Sequence, residues 1–198
     1  MSSLRRVTNY IGDLKAPTYP LPIDATLAVA GAVTYASLCA DCHKTGGART
    51  GTVIPVAEIG TDRHRLDMWT ANAASAYNAY GDGHDWKFSH FRKTAGYVGV
   101  PLDGLWLTAP YLHNGSVPTL ADLLESPDVR PRTFWRGYDV YDATRVGFVT
   151  TGPEAERIGT PLDVALPGNS NAGHAGPAYG TDLAPEQKRA LLEYLKTL

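Results

Sequence analysis

The chain has 198 residues, the size of one domain or of one domain with an extension. Hydrophobic residues make up 43% of the sequence, which is enough for a buried core and excludes general disorder. The formal net charge of −2 gives none of the overall basicity that binding to nucleic acids or anionic membranes requires. The 20 glycines and 14 prolines favour a loop-rich fold with few long helices or strands.

The N-terminal residues show no recognisable secretory signal, because Asp13 and Pro17 interrupt any apolar stretch. The longest run without charge or histidine, residues 25–40, is too short to span a bilayer and too rich in glycine, threonine and serine. The sequence therefore predicts neither a membrane span nor a nucleic-acid partner.

The first helix is predicted to begin at Asp24, as its N-cap, and to run to Cys39. Cys39 opens the pattern C-x-x-C-H with Cys42 and His43, and these are the only two cysteines of the chain. This pattern is the attachment signature of c-type haem. Its spacing on one helical turn lets both sulfurs form thioethers with two vinyl groups on one porphyrin edge, while the histidine reaches the iron from the proximal side.

Other uses of these two cysteines fit less well. A tetrahedral zinc site would need two further ligands close by, and no histidine pair at short spacing supplies them. A disulfide between Cys39 and Cys42 would close a very small loop and stabilise the fold little. A thiol redox pair is the remaining alternative, although such a pair usually follows a strand, which the sequence does not predict here.

Gly31 and Tyr35, eight and four residues before the first cysteine, resemble the corresponding residues of the first helix of class I cytochromes c. In that fold a C-terminal helix crosses closely at the glycine, and the aromatic side chain packs in the joint. Residues 181–198 have the apolar spacing of such a partner helix, with Leu191 and Tyr194 as the crossing pair. The resemblance implies a mainly α fold, a class I cytochrome c-like haem domain with long irregular loops and large insertions.

The long segment between these two helices is predicted to consist mainly of loops. A helix is expected over residues 62–80, with Trp69 and Tyr77 on its apolar face, and a short helix over residues 119–124. Residues 130–180 are rich in glycine and proline and are interpreted as mainly irregular chain.

The most specific segment beyond the cysteine motif is Pro-Tyr-Leu-His-Asn-Gly-Ser-Val-Pro-Thr-Leu at residues 110–120. Together with C-x-x-C-H it resembles the di-haem cytochrome c peroxidase-like superfamily, and the wider context, including residues 168–174, is similar to its rubber-oxygenase-like branch. The resemblance assigns residues 23–198 to a cytochrome c domain, the C-terminal haem domain of such proteins, and residues 1–22 to an N-terminal extension or linker. It implies one covalent haem c here, in the position of a six-coordinate electron relay.

The sixth iron ligand decides between a relay and a catalyst, because an open or weakly held position lets oxygen or peroxide reach the iron. His43 is predicted as the proximal ligand. His174 is favoured as the distal ligand, since the corresponding loop of the rubber-oxygenase-like branch resembles the source of its distal histidine. An open site, Met68 and His113 are the alternatives. Met68 is otherwise a gap-filling side chain, and His113 otherwise bonds a haem propionate or the adjacent loop backbone.

The remaining polar residues of interest are given supporting roles. Tyr111 is expected to pack against its neighbours. The other histidines, His64, His84 and His90, are expected to be solvated. Arginine is the natural partner of a haem propionate because its fork is planar and permanently charged. The candidates, each with a solvated loop position as the alternative, are Arg63, Arg65, Arg130, Arg132 and Arg136.

Electron transfer by a single haem is the leading predicted function, with a redox partner protein or an upstream haem domain as partner. The alternatives are a haem peroxidase or dioxygenase with an open distal site, and a non-catalytic haem-docking domain. Haem c attachment implies a periplasmic or otherwise extracytoplasmic location. The chain shows no export signal and has one C-x-x-C-H where the family has two. We therefore expect a segment of a longer protein, or export with a fused neighbour.

Overall fold

A computed structural model describes residues 2–198 and shows a mainly helical chain with short strand pairs and long irregular loops. The helices are α1 (Ser2–Asp13), α2 (Ala25–Leu38), α3 (Ala40–His43), α4 (Val56–Ile59), α5 (His64–Asp67), α6 (Ala71–Ala79), α7 (Leu120–Leu123), α8 (Pro153–Ile158) and α9 (Pro185–Leu195). The strands are β1 (Val53–Pro55), β2 (Gly96–Val98), β3 (Thr133–Arg136), β4 (Tyr141–Asp142), β5 (Gly147–Phe148) and β6 (Thr160–Asp163). Within residues 2–198, no helix is both long enough and apolar enough to cross a bilayer.

Helix α2 begins where the sequence predicts. The carboxylate of Asp24 accepts hydrogen bonds of 3.0 Å from the backbone N–H groups of Thr26 and Leu27. These bonds satisfy donors that the first helical turn leaves without an internal partner. The helix ends at Leu38, directly before the first cysteine. The predicted helix and its cap are therefore confirmed.

Helices α2 and α9 cross in close backbone contact at Gly31. A Cβ atom added to Gly31 would lie only 2.0 Å from the carbonyl oxygen of Ala190, so no larger residue fits without moving a helix. Beside the crossing, the rings of Tyr35 and Tyr194 have centroids 5.0 Å apart, and Leu191 is buried. The predicted crossing is confirmed, whereas the assignment to class I cytochromes stays a prediction.

The main core forms around this crossing and extends to α7. Thr119 caps α7 by accepting a hydrogen bond from the backbone N–H of Asp122, as expected for the short helix predicted there. Tyr111 is buried and donates a 3.1 Å hydrogen bond from its hydroxyl to the carbonyl of Val146. The buried members of the core are Tyr35, Tyr111, Val117, Leu120, Leu124, Val146, Leu191, Leu192 and Leu195.

The prediction of one helix over residues 62–80 is wrong. The chain forms two helices there, α5 and α6, because the hydroxyl of Thr70 accepts a hydrogen bond from the backbone N–H of Ala73 and starts a new helix. The apolar side chains of this segment pack with each other. We call Trp69, Tyr77, Phe88 and Phe91 the aromatic cluster, whose adjacent rings have centroids 4.8–5.9 Å apart.

Residues 130–180 are mainly irregular, as predicted, but they contain short strands and a helix that the sequence did not predict. Strands β3 and β6 pair antiparallel, with Phe134 opposite Leu162, and both side chains are buried. Helix α8 lies between these strands in the chain. Each strand has only four residues, too few for their alternation of buried and exposed side chains to be recognised in the sequence. The other antiparallel pairs are β1 with β2 and β4 with β5.

Replacing Gly31 by alanine is expected to lower the free energy of unfolding by about 1–3 kcal/mol, because the added methyl group overlaps the Ala190 backbone. Gly12→Ala is the matched control, since a Cβ on that helical glycine meets nothing within 4 Å. Denaturant unfolding of both variants measures the difference. Equal stability of Gly31→Ala and the unchanged protein would show that the crossing is not tightly packed.

Candidate functional site

The C-x-x-C-H motif forms a single tight helical turn at the end of α2. The carbonyl oxygen of Cys39 accepts hydrogen bonds from the backbone N–H groups of Cys42, at 3.2 Å, and His43, at 3.0 Å. Both cysteines are free thiols. Burial, together with the neighbouring Cys42, raises the pKa of the Cys39 thiol to about 11. Reactive cysteines have lowered pKa values, so this environment does not favour the thiol redox pair.

The imidazole of His43 is oriented by a backbone carbonyl. Its Nδ1 lies 2.8 Å from the carbonyl oxygen of Val100, which can only accept, so Nδ1 carries the proton and Nε2 keeps a free lone pair. Gly99 permits this contact, since a Cβ there would lie 2.6 Å from the carbonyl oxygen of Cys42. Histidines that bind metals commonly donate their other N–H to a carbonyl in this way.

His174 faces His43 across the site. The two ring centroids are 6.2 Å apart and the ring planes are inclined by 50°. The Nδ1 atom of His174 is buried and has no hydrogen-bond partner among residues 2–198. Burial lowers the pKa of His174 to about 4, and the neighbouring His43 and Arg130 act in the same direction. The imidazole is therefore neutral, the form that binds a metal.

These four residues fit a haem c. Imidazole nitrogens bond to metals at about 2 Å, so two imidazoles on one metal ion have ring centroids roughly 6 Å apart. The observed 6.2 Å between the ring centroids of His43 and His174 matches that spacing. A group bound between the two rings would also explain why the buried Nδ1 of His174 has no partner in the protein. A haem iron needs only two protein ligands, because the porphyrin supplies four. Cys39 and Cys42 lie on the same helical turn as His43, where they would provide the thioethers.

The loop that carries His174 packs directly on the segment after α4. The backbone N–H of His174 donates a 2.8 Å hydrogen bond to the carbonyl of Ile59. Gly173 and His174 both have left-handed backbone conformations, with φ of 87° and 48°. A Cβ on Gly173 would lie 2.3 Å from the backbone nitrogen of Thr61, so only glycine fits there. The position of His174 is thus set by backbone packing as well as by its own ring.

The segment around residues 110–116 holds the same loop from the other side. The Asn114 amide donates hydrogen bonds of 3.0 and 2.9 Å to the carbonyls of Gly168 and Ser170. The hydroxyl of Ser116, which is fully buried, donates to the Ser170 carbonyl at 3.0 Å. Sequence reasoning singled out this motif by resemblance and missed its role. Asn and Ser beside a glycine signal backbone bonding, but not which backbone they reach.

His113 does not face His43. Its Nε2 lies 3.2 Å from the hydroxyl of Tyr97, its Nδ1 lies 3.5 Å from the hydroxyl of Thr61, and its ring stacks on Tyr97 with centroids 4.4 Å apart. Burial lowers the pKa of His113. The expected bond to the backbone around Asn114 is not present. His113 instead connects Thr61 with Tyr97. It is the residue before Asn114, which bonds the loop that carries His174.

The other candidate ligands lie on the surface. Met68 is 65% exposed at the end of α5, which gives no support to its ligand role. The remaining histidines have local neighbours: His64 bonds Asp62, His84 stacks on Trp86, and His90 lies beside Phe88. Within residues 2–198, no group of three or more His, Cys, Asp or Glu side chains is arranged to hold a metal ion.

Arg130 requires a correction. It was expected to pair with a haem propionate or to lie in a solvated loop, but it is 2% exposed and donates only to backbone carbonyls. Nothing in the composition of the surrounding Pro- and Arg-containing segment signals such burial, because three of the acceptors lie more than 40 residues away in the chain.

Comparison with known proteins shows a family match in the middle of the chain. Residues 96–136 match the family described as RoxA-like, cytochrome c-like. This match supports a cytochrome c-like haem domain related to RoxA. The matched segment contains Val100, Asn114, Ser116 and Arg130, which orient the two facing histidines or the loop that carries one of them. The di-haem peroxidase-like assignment stays a prediction.

Two relatives from Sinorhizobium fredii (strain NBRC 101917 / NGR234) are similar to the chain. Uncharacterized protein y4iM is 31% identical over 235 aligned positions, which cover 96% of this chain and 53% of the relative. Uncharacterized protein y4iJ is 48% identical over 108 positions, which cover 52% of this chain and 18% of the relative. The chain thus spans about half, or less, of the length of these curated relatives.

Covalent attachment can be tested by replacing the cysteines, in protein made in a host that attaches haem c. Cys39→Ala and Cys42→Ala are each expected to keep one thioether, which shifts the alkaline pyridine spectrum of the haem to longer wavelength because one vinyl group stays unsaturated. The double variant should release its haem into acidified organic solvent. Ser37→Ala, on the preceding turn, is the matched control. Extractable haem in the unchanged protein would contradict the attachment.

Proposed function

We propose that this domain is a single-haem electron relay, in which Cys39 and Cys42 attach one haem c and His43 and His174 ligate its iron. The observation that carries the proposal is the facing pair of imidazoles, with ring centroids 6.2 Å apart. A histidine on each side leaves no open iron position for oxygen or peroxide. The domain therefore suits transfer of electrons better than chemistry on a bound substrate.

The chain's own residues keep the ligand geometry constant. When bound, haem c supplies a reversible one-electron couple between ferrous and ferric iron. The Val100 carbonyl fixes the tautomer and direction of His43 through a 2.8 Å hydrogen bond. The Ile59 carbonyl accepts a 2.8 Å hydrogen bond from the backbone N–H of His174, and this bond fixes the backbone that carries the opposite ring. Ligands held in this way rearrange little during electron transfer, which favours a fast reaction.

Two histidine ligands also indicate the range of the reduction potential. Methionine as the sixth ligand raises the potential of a c-type haem, so a pair of histidines gives a lower one. The exposed position of Met68 agrees with this assignment. We expect a relay that works at a lower potential than histidine–methionine cytochromes.

We also propose a place for the domain in a larger system. The relatives are longer than the part that this chain matches, and the resemblance is to the C-terminal haem domain of di-haem proteins. The domain would then pass electrons to or from an upstream haem domain or a separate redox protein, as the relay part of an oxidoreductase. Attachment of haem c through C-x-x-C-H would place it in the periplasm or elsewhere outside the cytoplasm.

The visible spectrum of the reduced protein, with and without carbon monoxide, tests the relay. The unchanged protein is expected to give a sharp c-type spectrum that carbon monoxide does not alter. His174→Ala opens one iron position and should bind carbon monoxide readily. His113→Ala, another buried histidine in contact with neighbouring loops, is the matched control and should remain unreactive.

Three results would overturn the proposal. Carbon monoxide binding by the unchanged protein would favour the peroxidase or dioxygenase alternative with an open site. A His174→Ala variant as unreactive as the unchanged protein would assign the sixth ligand elsewhere. A protein made in a haem-attaching host without covalent haem would leave Cys39 and Cys42 as a thiol pair.

A further inference from the structure

Arg130 is a buried arginine whose five N–H donors all bond to backbone carbonyls. The residue is 2% exposed. Its Nε donates to Glu125 at 2.9 Å, and its Nη2 donates to Leu123 at 3.0 Å. The remaining bonds run from Nη1 to Asn171 at 2.6 Å, from Nη1 to Gly173 at 2.9 Å, and from Nη2 to His174 at 3.1 Å. No donor of the guanidinium is left for a ligand or for solvent.

The acceptors belong to two parts of the fold. Leu123 and Glu125 lie at the C-terminal end of α7, where helical carbonyls lack partners and the helix dipole favours a positive charge. The other three acceptors lie within residues 171–174. Helix α7 is itself fixed in the main core through Leu120 and Leu124. Arg130 therefore links the His174 loop to α7 and, through α7, to the main core.

The arrangement is unusual enough to need a reason. Burying a charged group is unfavourable, and a buried charge is normally paired with an opposite one. Here every direct acceptor is a neutral carbonyl. Burial lowers the pKa of Arg130, with Asp122 opposing the shift, and a guanidinium still remains charged. The planar fork is the one side chain that can bond so many carbonyls at once.

We propose that Arg130 is the positioning residue that keeps His174 on the distal side of the haem iron. This inference rests on the proposed function, in which His174 is the distal ligand. Arg130 holds the carbonyls of Asn171, Gly173 and His174 itself, so the loop cannot swing away from His43 without breaking three charge-assisted hydrogen bonds. A second tie runs from the Asn171 amide to the carbonyl of Pro131, the residue after Arg130, at 3.0 Å.

Arg130→Gln and Arg130→Lys test the proposal in the haem-loaded protein. Glutamine offers two donors and lysine a single charged point, so neither can bond both α7 and the loop as arginine does. The reduced Arg130→Gln variant should show the spectral shift with carbon monoxide that the unchanged protein lacks, because the loop that carries His174 is no longer held in place. Arg130→Lys should lie between this variant and the unchanged protein.

Gly31→Ala separates positioning from general instability. It weakens the α2–α9 crossing and contacts neither Arg130 nor the His174 loop. We expect Gly31→Ala to stay unreactive with carbon monoxide even when its unfolding midpoint is as low as that of Arg130→Gln. Equal reactivity of the two variants at matched stability would overturn the positioning role. Should Arg130→Gln fail to accumulate as folded protein, Arg130→Lys is compared with Gly31→Ala in its place.

The same experiment distinguishes the two proposals. If the unchanged protein binds carbon monoxide as fast as His174→Ala, His174 is not the distal ligand and the proposed function fails. If the unchanged protein is unreactive, His174→Ala is reactive, and both Arg130 variants remain unreactive, His174 stays the ligand and the role of Arg130 alone is refuted.

Discussion

The imidazole rings of His43 and His174 lie face to face, and hydrogen bonds to backbone carbonyls fix the ring of one and the loop that carries the other. The ring of His43 is held by the carbonyl of Val100, in the chain that follows β2. The ring of His174 is held by a loop without regular secondary structure. Both sides of the site therefore depend on hydrogen bonds to backbone carbonyls, one at the His43 ring and several along the loop that carries His174.

Hydrogen bonds from side chains to backbone carbonyls explain how a loop-rich chain forms a defined site. Loops usually lie on the surface and move more than helices and strands. The loop at residues 168–174 is instead enclosed by Asn114, Ser116 and Arg130, which bond its carbonyls. A buried carbonyl without such a partner would destabilise the folded state. Each of these side chains therefore orders the loop and also satisfies its buried carbonyls. All three side chains belong to the segment that matches the RoxA-like family.

Local signals in the sequence predicted local structure well. Asp24 identified the start of α2, because an N-cap acts within a few residues, and the resemblance to class I cytochromes c identified Gly31 as the point of close crossing. Failures arose where distant segments decide the outcome. The pairing of β3 with β6 and the burial of Arg130 depend on partners far along the chain, and neither leaves a periodic pattern. Thr70 is a local signal for the start of a helix, but the apolar spacing continues across it and indicated one unbroken helix.

The aromatic cluster has a consequence for how the molecule opens. Its rings pack on each other, and Asn78 bonds both the N–H and the carbonyl of Phe91, so α6 and the chain up to residue 91 close on themselves rather than on the main core. Segments with their own small set of contacts can unfold as units at a lower free energy than the whole protein. Partial unfolding of this unit would leave Arg130, the His174 loop and the C-x-x-C-H turn in place. The domain can thus be locally labile and still keep its two histidines opposed.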